Sequence, residues 1–192
     1  MFIDCEYPMI ATARLSGMML DYPKLLDKGI GGLRSDLQEK LKEQPDNNFY
    51  KAGIQCLDIF VDCASHLQQD AREQMASANM KRQKELERIC QALENIKEKK
   101  PGTFHEAMQL FWLFALLAGV INYGRLDDYL GPYLVADLKS GRLTDEEAYR
   151  YIHSLWTMIE NRRTTVNGRI IVGGKGRKHP KEADVFLHIA MK

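Results

Sequence analysis

Two places in this 192-residue sequence bring together residue types that could do chemistry. Gly173-Gly174-Lys175-Gly176-Arg177 follows the short β-branched run Arg169-Ile170-Ile171-Val172. Glycines after a strand let backbone amides converge on an anion, and Lys175 and Arg177 would add positive charge to such a cradle. The run fits neither Gly-x-x-x-x-Gly-Lys-Ser/Thr nor Gly-x-Gly-x-x-Gly, so a structural turn is the plain expectation and anion binding at Lys175 and Arg177 the sharper one. The second place is Asn122-Tyr123-Gly124-Arg125-Leu126-Asp127, at the end of an apolar segment. An Arg and an Asp two positions apart there put a charged pair at the edge of a core, where either partner alone would be an unpaired charge. Arg125 and Asp127 are therefore expected to act as a structural clamp. Histidines 66, 105, 153, 179 and 188 do not cluster with carboxylates at metal-ligand spacing, so no metal site is expected. No Ser or Cys sits on a nucleophile elbow, and no catalytic residue is assigned. Arg162-Arg163 reads as a pair serving a helix C-terminus and an ion pair.

Composition bounds what these residues can belong to. With 45% hydrophobic residues and a net charge of +1, the chain can bury enough surface to fold, and disorder is excluded. Lys and Arg number 27 against 26 Asp and Glu, interspersed, so the basic excess of a nucleic-acid binder is missing. Cys56 and Cys63 lie seven apart in one helix, roughly 10 Å between Cα atoms, too far to bridge. Cys5 and Cys90 lie in unrelated contexts, and without Cys-x-x-Cys or a signal peptide a reducing cytoplasm is expected. The longest apolar run, Leu110 to Ile121, is shorter than the ~18–20 residues that span a bilayer. Neither nucleic acid nor membrane is an expected partner.

The elements that must position these residues are mostly helices. Asp21 and Pro23 open a short one bearing Leu25 and Leu26; Gly29, Gly31 and Gly32 end it before a second bearing Leu33, Leu37 and Leu41. After Pro45, Asp46 or Asn47 opens a long helix whose inward stripe is read as Phe49, Gly53, Cys56, Phe60, Cys63, Leu67, Ala71 and Met75. The next carries Leu86, Ile89, Cys90, Leu93 and Ile96 inward and stops at Pro101-Gly102. Thr103-Phe104-His105-Glu106 is a capping box opening the apolar helix that runs to Gly124, apolar on all sides and so expected to be buried on all sides. Helix resumes to about Ser140, with Pro132 kinking or restarting it. Gly141 ends it, and Thr144-Asp145-Glu146-Glu147 caps another bearing Ala148, Ile152, Leu155, Trp156 and Ile159. Arg169–Val172 reads as a buried strand and Pro180 starts a last helix. The fold class is mainly α with few short strands: helical over 20–163, then strand, Gly loop and helix over 169–192, as one partial domain over 1–192. The first twenty residues read as an irregular lead-in. One strand cannot satisfy its own ladder, so it must pair elsewhere, with weak strands in 1–20 and 164–172 as the alternative source of a small sheet. The lone strand, the all-round apolar helix and a last helix reaching Met191-Lys192 together lead to the expectation that these residues are part of a larger polypeptide.

Three linked segments carry a family resemblance. Thr103-Phe104-His105-Glu106-Ala107-Met108-Gln109 is followed by Gly124-Arg125-Leu126-Asp127-Asp128-Tyr129-Leu130-Gly131-Pro132-Tyr133, and then by Asp137-Leu138-Lys139-Ser140-Gly141-Arg142-Leu143-Thr144-Asp145-Glu146-Glu147-Ala148. These resemble the Thr-Phe-x-Glu-Ala-x-Gln, Gly-Arg-x-Asp-Gln-Tyr-Leu-x-Pro-Tyr and Asp-Leu-x-x-Gly-x-Leu/Ile-Thr-x-Glu-Glu-Ala runs of the glycyl radical enzymes, the pyruvate formate-lyase group. Upstream, Asp21-Tyr22-Pro23-Lys24-Leu25-Leu26-Asp27-Lys28-Gly29-Ile30-Gly31-Gly32 is similar to that family's Asp-Tyr-x-x-Leu-Leu-x-x-Gly-x-x-Gly, and downstream Ile171-Val172-Gly173-Gly174 to its strand-to-turn segment.

The resemblance implies a ten-stranded α/β barrel in two parallel halves, of which this chain would supply outer helices and an early strand at 169–173. It implies a glycyl radical, installed by a radical S-adenosylmethionine activating enzyme, that generates a cysteine thiyl to attack pyruvate, a diol, choline or hydroxyproline. Neither the family's cysteine loop nor its Arg-Val-x-Gly-Tyr motif occurs in these residues. Cys5, Cys56, Cys63 and Cys90 all fall outside the thiyl position. The expected function is thus a fragment of a formate acetyltransferase-type or related glycyl radical enzyme, inactive alone and binding no cofactor by itself. Its partners would be the remainder of its polypeptide or a full-length relative, the activating enzyme, and possible further copies of itself. The alternative is a non-catalytic helical scaffold or interaction protein derived from the family. Asn122-Tyr123 stands where eliminase members carry Ser-Pro, and Gly17 where some carry His. Both weaken a diol dehydratase and make Asn122 and Tyr123 candidate pocket residues.

Overall fold

The structure is a computed structural model that describes residues 18–162 and 168–192. Its elements are α1 (Tyr22–Glu43), α2 (Asn48–Met75), α3 (Met80–Ile96), α4 (Phe104–Leu117), β1 (Asn122–Arg125), α5 (Leu126–Lys139), α6 (Asp145–Asn161), β2 (Arg169–Ile171) and α7 (Pro180–Ala190). Most of the chain is helical, as its composition and periodicity predict. Cys5, Gly17, the lead-in up to residue 17, Arg163 and the possible strand residues 164–167 lie outside the described residues. The fold divides into two compact units, residues 22–114 and residues 1–21 with 115–192.

In the unit 22–114, α2 packs on both α1 and α3. The two short helices expected before Pro45 are one helix kinked at Gly29, whose φ is +65°. The kink brings α1 against the end of α3: Gly31 donates its amide to the Glu98 carbonyl at 3.0 Å, and a Cβ on Gly31 would lie 2.4 Å from that same oxygen. Arg34 ties the contact further by pairing with Asp58 and, at 3.9 Å, with Glu98. Asn47 caps α2, its side chain accepting from Phe49 and Tyr50 amides. The inward face of α2 keeps Phe60 and Ala71 from the predicted stripe, but Leu57, Ala64 and Gln68 take the inward places expected of Cys56, Cys63 and Leu67. Gln68 is why. Buried at 4% exposure, it donates to the Cys90 carbonyl (2.9 Å) and to Glu94 (3.0 Å) and accepts from Lys97 (3.3 Å), so a polar side chain occupies the core face once its hydrogen bonds are met.

The first turn of α4 carries the Thr103 cap: Glu106 donates its amide to Thr103 Oγ1, while its carboxylate accepts from Gly102 rather than from Thr103 itself. His105, one residue into the helix, is held neutral-favouring, its pKa lowered from 6.5 by burial first, with Glu106 opposing and Arg88 adding to the shift. A histidine with a folded pKa below its unfolded one contributes stability that is complete above pH ~6.5 and lost as the pH falls through the folded value. Urea unfolding midpoints should therefore fall between pH 7 and 5, and His105→Gln should flatten that slope; an unchanged slope in the variant would assign it to other groups.

α4 does not run to Gly124. It ends at Leu117, where Gly119 (φ +66°) closes a Schellman turn with Val120 N bonded to Ala115 O and Gly119 N to Leu116 O. Nor is the apolar segment buried all round, since Leu116 and Leu117 are exposed. In the unit 115–192, the residues after this turn form β1, which pairs in parallel with β2 and, through an isolated bridge from Asn122, with Met19. The strand Arg169–Val172 is thus paired as its ladder required, but it is not buried: Arg169, Ile171 and Val172 are exposed. α5 continues through Pro132 without a break and packs on α7, and α6 packs on α7 as well. The α5–α7 crossing is close, for a Cβ on Gly131 would lie 2.8 Å from the Glu182 carbonyl. Gly141 (φ +70°) ends α5 and Thr144 with Glu147 makes a complete capping box on α6, both as the sequence indicates.

Candidate functional site

The residues singled out in sequence meet at the β1–β2 pair. Arg125 and Asp127 do not engage each other; both reach across to the glycine loop. Arg125 donates to the carbonyls of Gly173 (3.1 Å) and Lys175 (2.9 Å), and Asp127 Oδ2 accepts the Gly173 amide at 2.7 Å. Asp127 is fully buried, and Arg177 stands 3.8 Å from the same oxygen while pairing with Asp184 at 2.6 Å. Asp128, which sequence reasoning passed over, accepts from the Lys178 (3.1 Å) and His179 (2.8 Å) amides. The family motif has Gln at this position. A carboxylate offers two acceptor oxygens where an amide offers one, so Asp128 can hold both donors at once.

These contacts change the reading of the loop. Gly173, Gly174 and Gly176 all have positive φ, as a tight glycine turn requires. Three of the amides around it, at 173, 178 and 179, already face carboxylates of this chain, and Arg177 already has two acidic neighbours. The loop's anions are internal, so an external phosphate would have to displace Asp127 or Asp128. Lys175 is exposed, its carbonyl taken by Arg125.

Tyr123 is buried completely. Its hydroxyl accepts from Arg162 (2.8 Å) and its carbonyl from the Tyr129 hydroxyl (2.7 Å), and Gly168 leaves room for the ring, since a Cβ there would lie 2.8 Å from Tyr123 Cε2. Arg162, expected to serve an ion pair, donates instead to Tyr123 and to the Val120 carbonyl (2.8 Å), so its signal in the sequence pointed to the right helix end and the wrong partner. Asn122 is half-buried at the start of β1. Its Oδ1 accepts from the Gly124 amide (3.2 Å), which leaves its amide nitrogen as an open donor among the described residues. Cys56, Cys63 and Cys90 are free thiols on α2 and α3, in the other unit. Among the described residues no three His, Cys, Asp or Glu gather as a metal site, and no helix is long and apolar enough to cross a membrane.

In the structure an Arg-x-Asp-Asp segment thus locks a parallel strand pair, and comparison with known proteins decides the family. The family model described as pyruvate formate lyase-like matches residues 5–191. The chain belongs to the pyruvate formate lyase-like family. Among its relatives, (2S)-3-sulfopropanediol dehydratase of Klebsiella oxytoca is 30% identical over 161 residues, 75% of this chain and 19% of that protein. Isethionate sulfite-lyase of Oleidesulfovibrio alaskensis is 28% identical over 153 residues, 71% of this chain and 18% of that protein. The chain thus spans about a fifth of the length of these curated relatives. In fold it is similar to the glycerol-bound B12-independent glycerol dehydratase of Clostridium butyricum, with a TM-score of 0.76 at 22% identity over 92% of this chain and 26% of that one. A glycyl radical enzyme of Archaeoglobus fulgidus gives a TM-score of 0.75 at 20% identity, covering 91% and 27%. This pyruvate formate lyase-like chain is therefore similar in fold to a mainly helical part of glycyl radical enzymes, with two short strands among the described residues.

Proposed function

We propose that this chain is the helical portion of a glycyl radical enzyme that eliminates a leaving group from a small polar metabolite, and that it turns over only together with the residues bearing the radical glycine and the thiyl cysteine. The single observation that carries this reading is the family match over residues 5–191. The names of its relatives, dehydratases and sulfite-lyases, favour C–O or C–S cleavage over the formate acetyltransferase type. When present, the glycyl radical supplies the one-electron chemistry; this chain's residues hold the wall around it. Arg125, Asp127 and Asp128 fix the glycine loop against β1, Tyr123 backs the strand from the core, and Asn122 offers an amide N–H to an acceptor oxygen of the substrate. The second reading, a non-catalytic scaffold from the same family, draws on the contacts that Asp127, Asp128 and Arg177 make within the chain, although Asp127 Oδ1 and Arg177 Nε are buried without a partner among the described residues.

The test is to tag the gene product at its N-terminus in source cells grown without oxygen, weigh it intact, then treat it with a radical-activating enzyme and S-adenosylmethionine. The expected result is a product several times heavier than 22.1 kDa that gains a glycyl radical signal in electron paramagnetic resonance and consumes isethionate, sulfopropanediol, hydroxyproline or glycerol. A product of about the mass of this chain that consumes none of them would return the scaffold reading.

A further inference from the structure

Two buried polar atoms at the glycine loop have no hydrogen-bond partner among the described residues, and they belong to neighbouring side chains of opposite charge. They are Asp127 Oδ1 and Arg177 Nε. Asp127 is fully buried, the Arg177 side chain is 12% exposed, and Arg177 Nη1 lies 3.8 Å from Asp127 Oδ2. That same Nη1 donates at 2.6 Å to Asp184, a carboxylate of α7 whose side chain is 64% exposed. Arg177 is thus bonded to the wetter of its two acids. An ion pair with an exposed partner contributes little to stability, whereas a buried donor and a buried acceptor left unmade each carry a desolvation cost. A guanidinium turned so that Nε–H points at Asp127 would satisfy both orphaned atoms in one motion, because arginine presents its N–H groups as a rigid fork that matches a carboxylate. Asp127 Oδ2 would keep the Gly173 amide that it already holds at 2.7 Å. The neighbouring backbone leaves room, since a Cβ on Gly174 or Gly176 would meet nothing within 4 Å.

We propose that Arg177 is a two-position latch, exchanging between Asp184 on α7 and Asp127 in the first turn of α5. In the first position, the one in the structure, Arg177 ties the loop to α7. In the second, Nε–H is donated to Asp127 Oδ1 and the loop is fastened to the segment that follows β1. Nε–H and Nη1 lie on opposite edges of the guanidinium, so turning one edge to Asp127 takes the other away from Asp184. The two pairings therefore exclude each other. Arg125 holds the Gly173 and Lys175 carbonyls in both, so the latch moves a side chain while the loop backbone stays anchored. The costs oppose one another: the first position strands two buried atoms, and the second releases Asp184 to water and draws the Arg177 charge further inward. Balanced in this way, both positions are populated above about 1%. The inference is independent of the reaction proposed above.

The test is nuclear magnetic resonance of the 192-residue chain carrying isotope-labelled arginine, with the Arg177 Nε–H signal assigned by its loss in Arg177→Lys. Asp184→Ala removes the first position without touching Asp127, and because Asp184 is exposed it should leave the helical circular dichroism unchanged. In that variant the exchange of the Nε–H proton with solvent should slow by about tenfold or more, as the latch rests on Asp127. A scalar coupling across the new hydrogen bond, from Arg177 Nε to the Asp127 carboxyl carbon, should appear at the same time. A merely structural role for Asp184 would give no such coupling. Asp184→Glu, which keeps a carboxylate on the same turn of α7, should bring the exchange rate back toward that of the unaltered chain. An Nε–H proton that exchanges as fast in Asp184→Ala as in the unaltered chain would overturn the proposal. So would a cross-relaxation contact from that proton to a long-lived water, which would mean that a buried water, and not a second position of Arg177, satisfies the two atoms.

Discussion

Asp127→Ala should lower the stability of the unit 115–192 by about 2–4 kcal/mol, read from the urea midpoint of the β-sheet signal at constant m. The carboxylate is fully buried, so its removal is not compensated by water. Gly173 loses the 2.7 Å acceptor for its amide, a charge-assisted bond, and Arg177 loses one of its two acidic neighbours. Arg177 keeps Asp184, which holds the cost below that of a fully orphaned buried charge. Arg125→Ala should cost less, about 1–2 kcal/mol, because it removes hydrogen bonds to the Gly173 and Lys175 carbonyls that open toward solvent. Amide exchange at Gly173 discriminates further. It should accelerate in the Asp127 variant well before global unfolding, and a protected Gly173 amide there would mean that Arg125 alone holds the loop.

Gly29→Ala should destabilise the unit 22–114 by about 2–5 kcal/mol. Two effects add. The residue sits at φ +65° and ψ 179°, a region essentially confined to glycine, which costs any other residue about 1–3 kcal/mol. The new methyl would also lie 2.6 Å from the Lys100 amide nitrogen and 2.7 Å from the Lys99 carbonyl, backbone atoms that cannot rotate aside. The kink in α1 would have to open, separating Gly31 from Glu98 and Arg34 from its partners on α2 and near the end of α3. Gly32→Ala is the milder comparison: its φ is ordinary, its Cβ would meet only Lys28 Cβ (3.1 Å) and Cγ (3.8 Å), which must give by a few tenths of an ångström, and it should lower the thermal midpoint clearly less than Gly29→Ala. Equal losses at Gly29 and Gly32 would show that chain entropy, not the close approach, governs this turn.

Much of the scaffold could be read from residue patterns because it is decided locally. Asn47, Thr103, Thr144 and Gly141 act within a few residues of themselves, and each does what its type implies at a helix end. The motifs around Gly124 and Asp137 likewise located the family, since they are short and contiguous. β1 went unread because four residues containing a glycine show no alternation, and it exists only because β2 lies beside it. On α2 the inward places of Phe60 and Ala71 were legible, whereas Gln68 was missed because the sequence shows it as polar and does not show the carbonyl of Cys90 that satisfies it.

At the candidate site the division is the same. The sequence by itself determined which residues would be charged, small or helix-ending, and therefore that Arg125 and Asp127 would need partners and that the glycines of 173–176 would form a turn, as two separate places. Only the tertiary structure decided that Arg125 and Asp127 serve the loop rather than each other, that Asp128 joins them, and that Arg162 caps Tyr123. Those partners stand roughly forty to fifty residues apart along the chain, and a buried polar group takes whichever donor or acceptor the packing of helices and strands brings within about 3 Å.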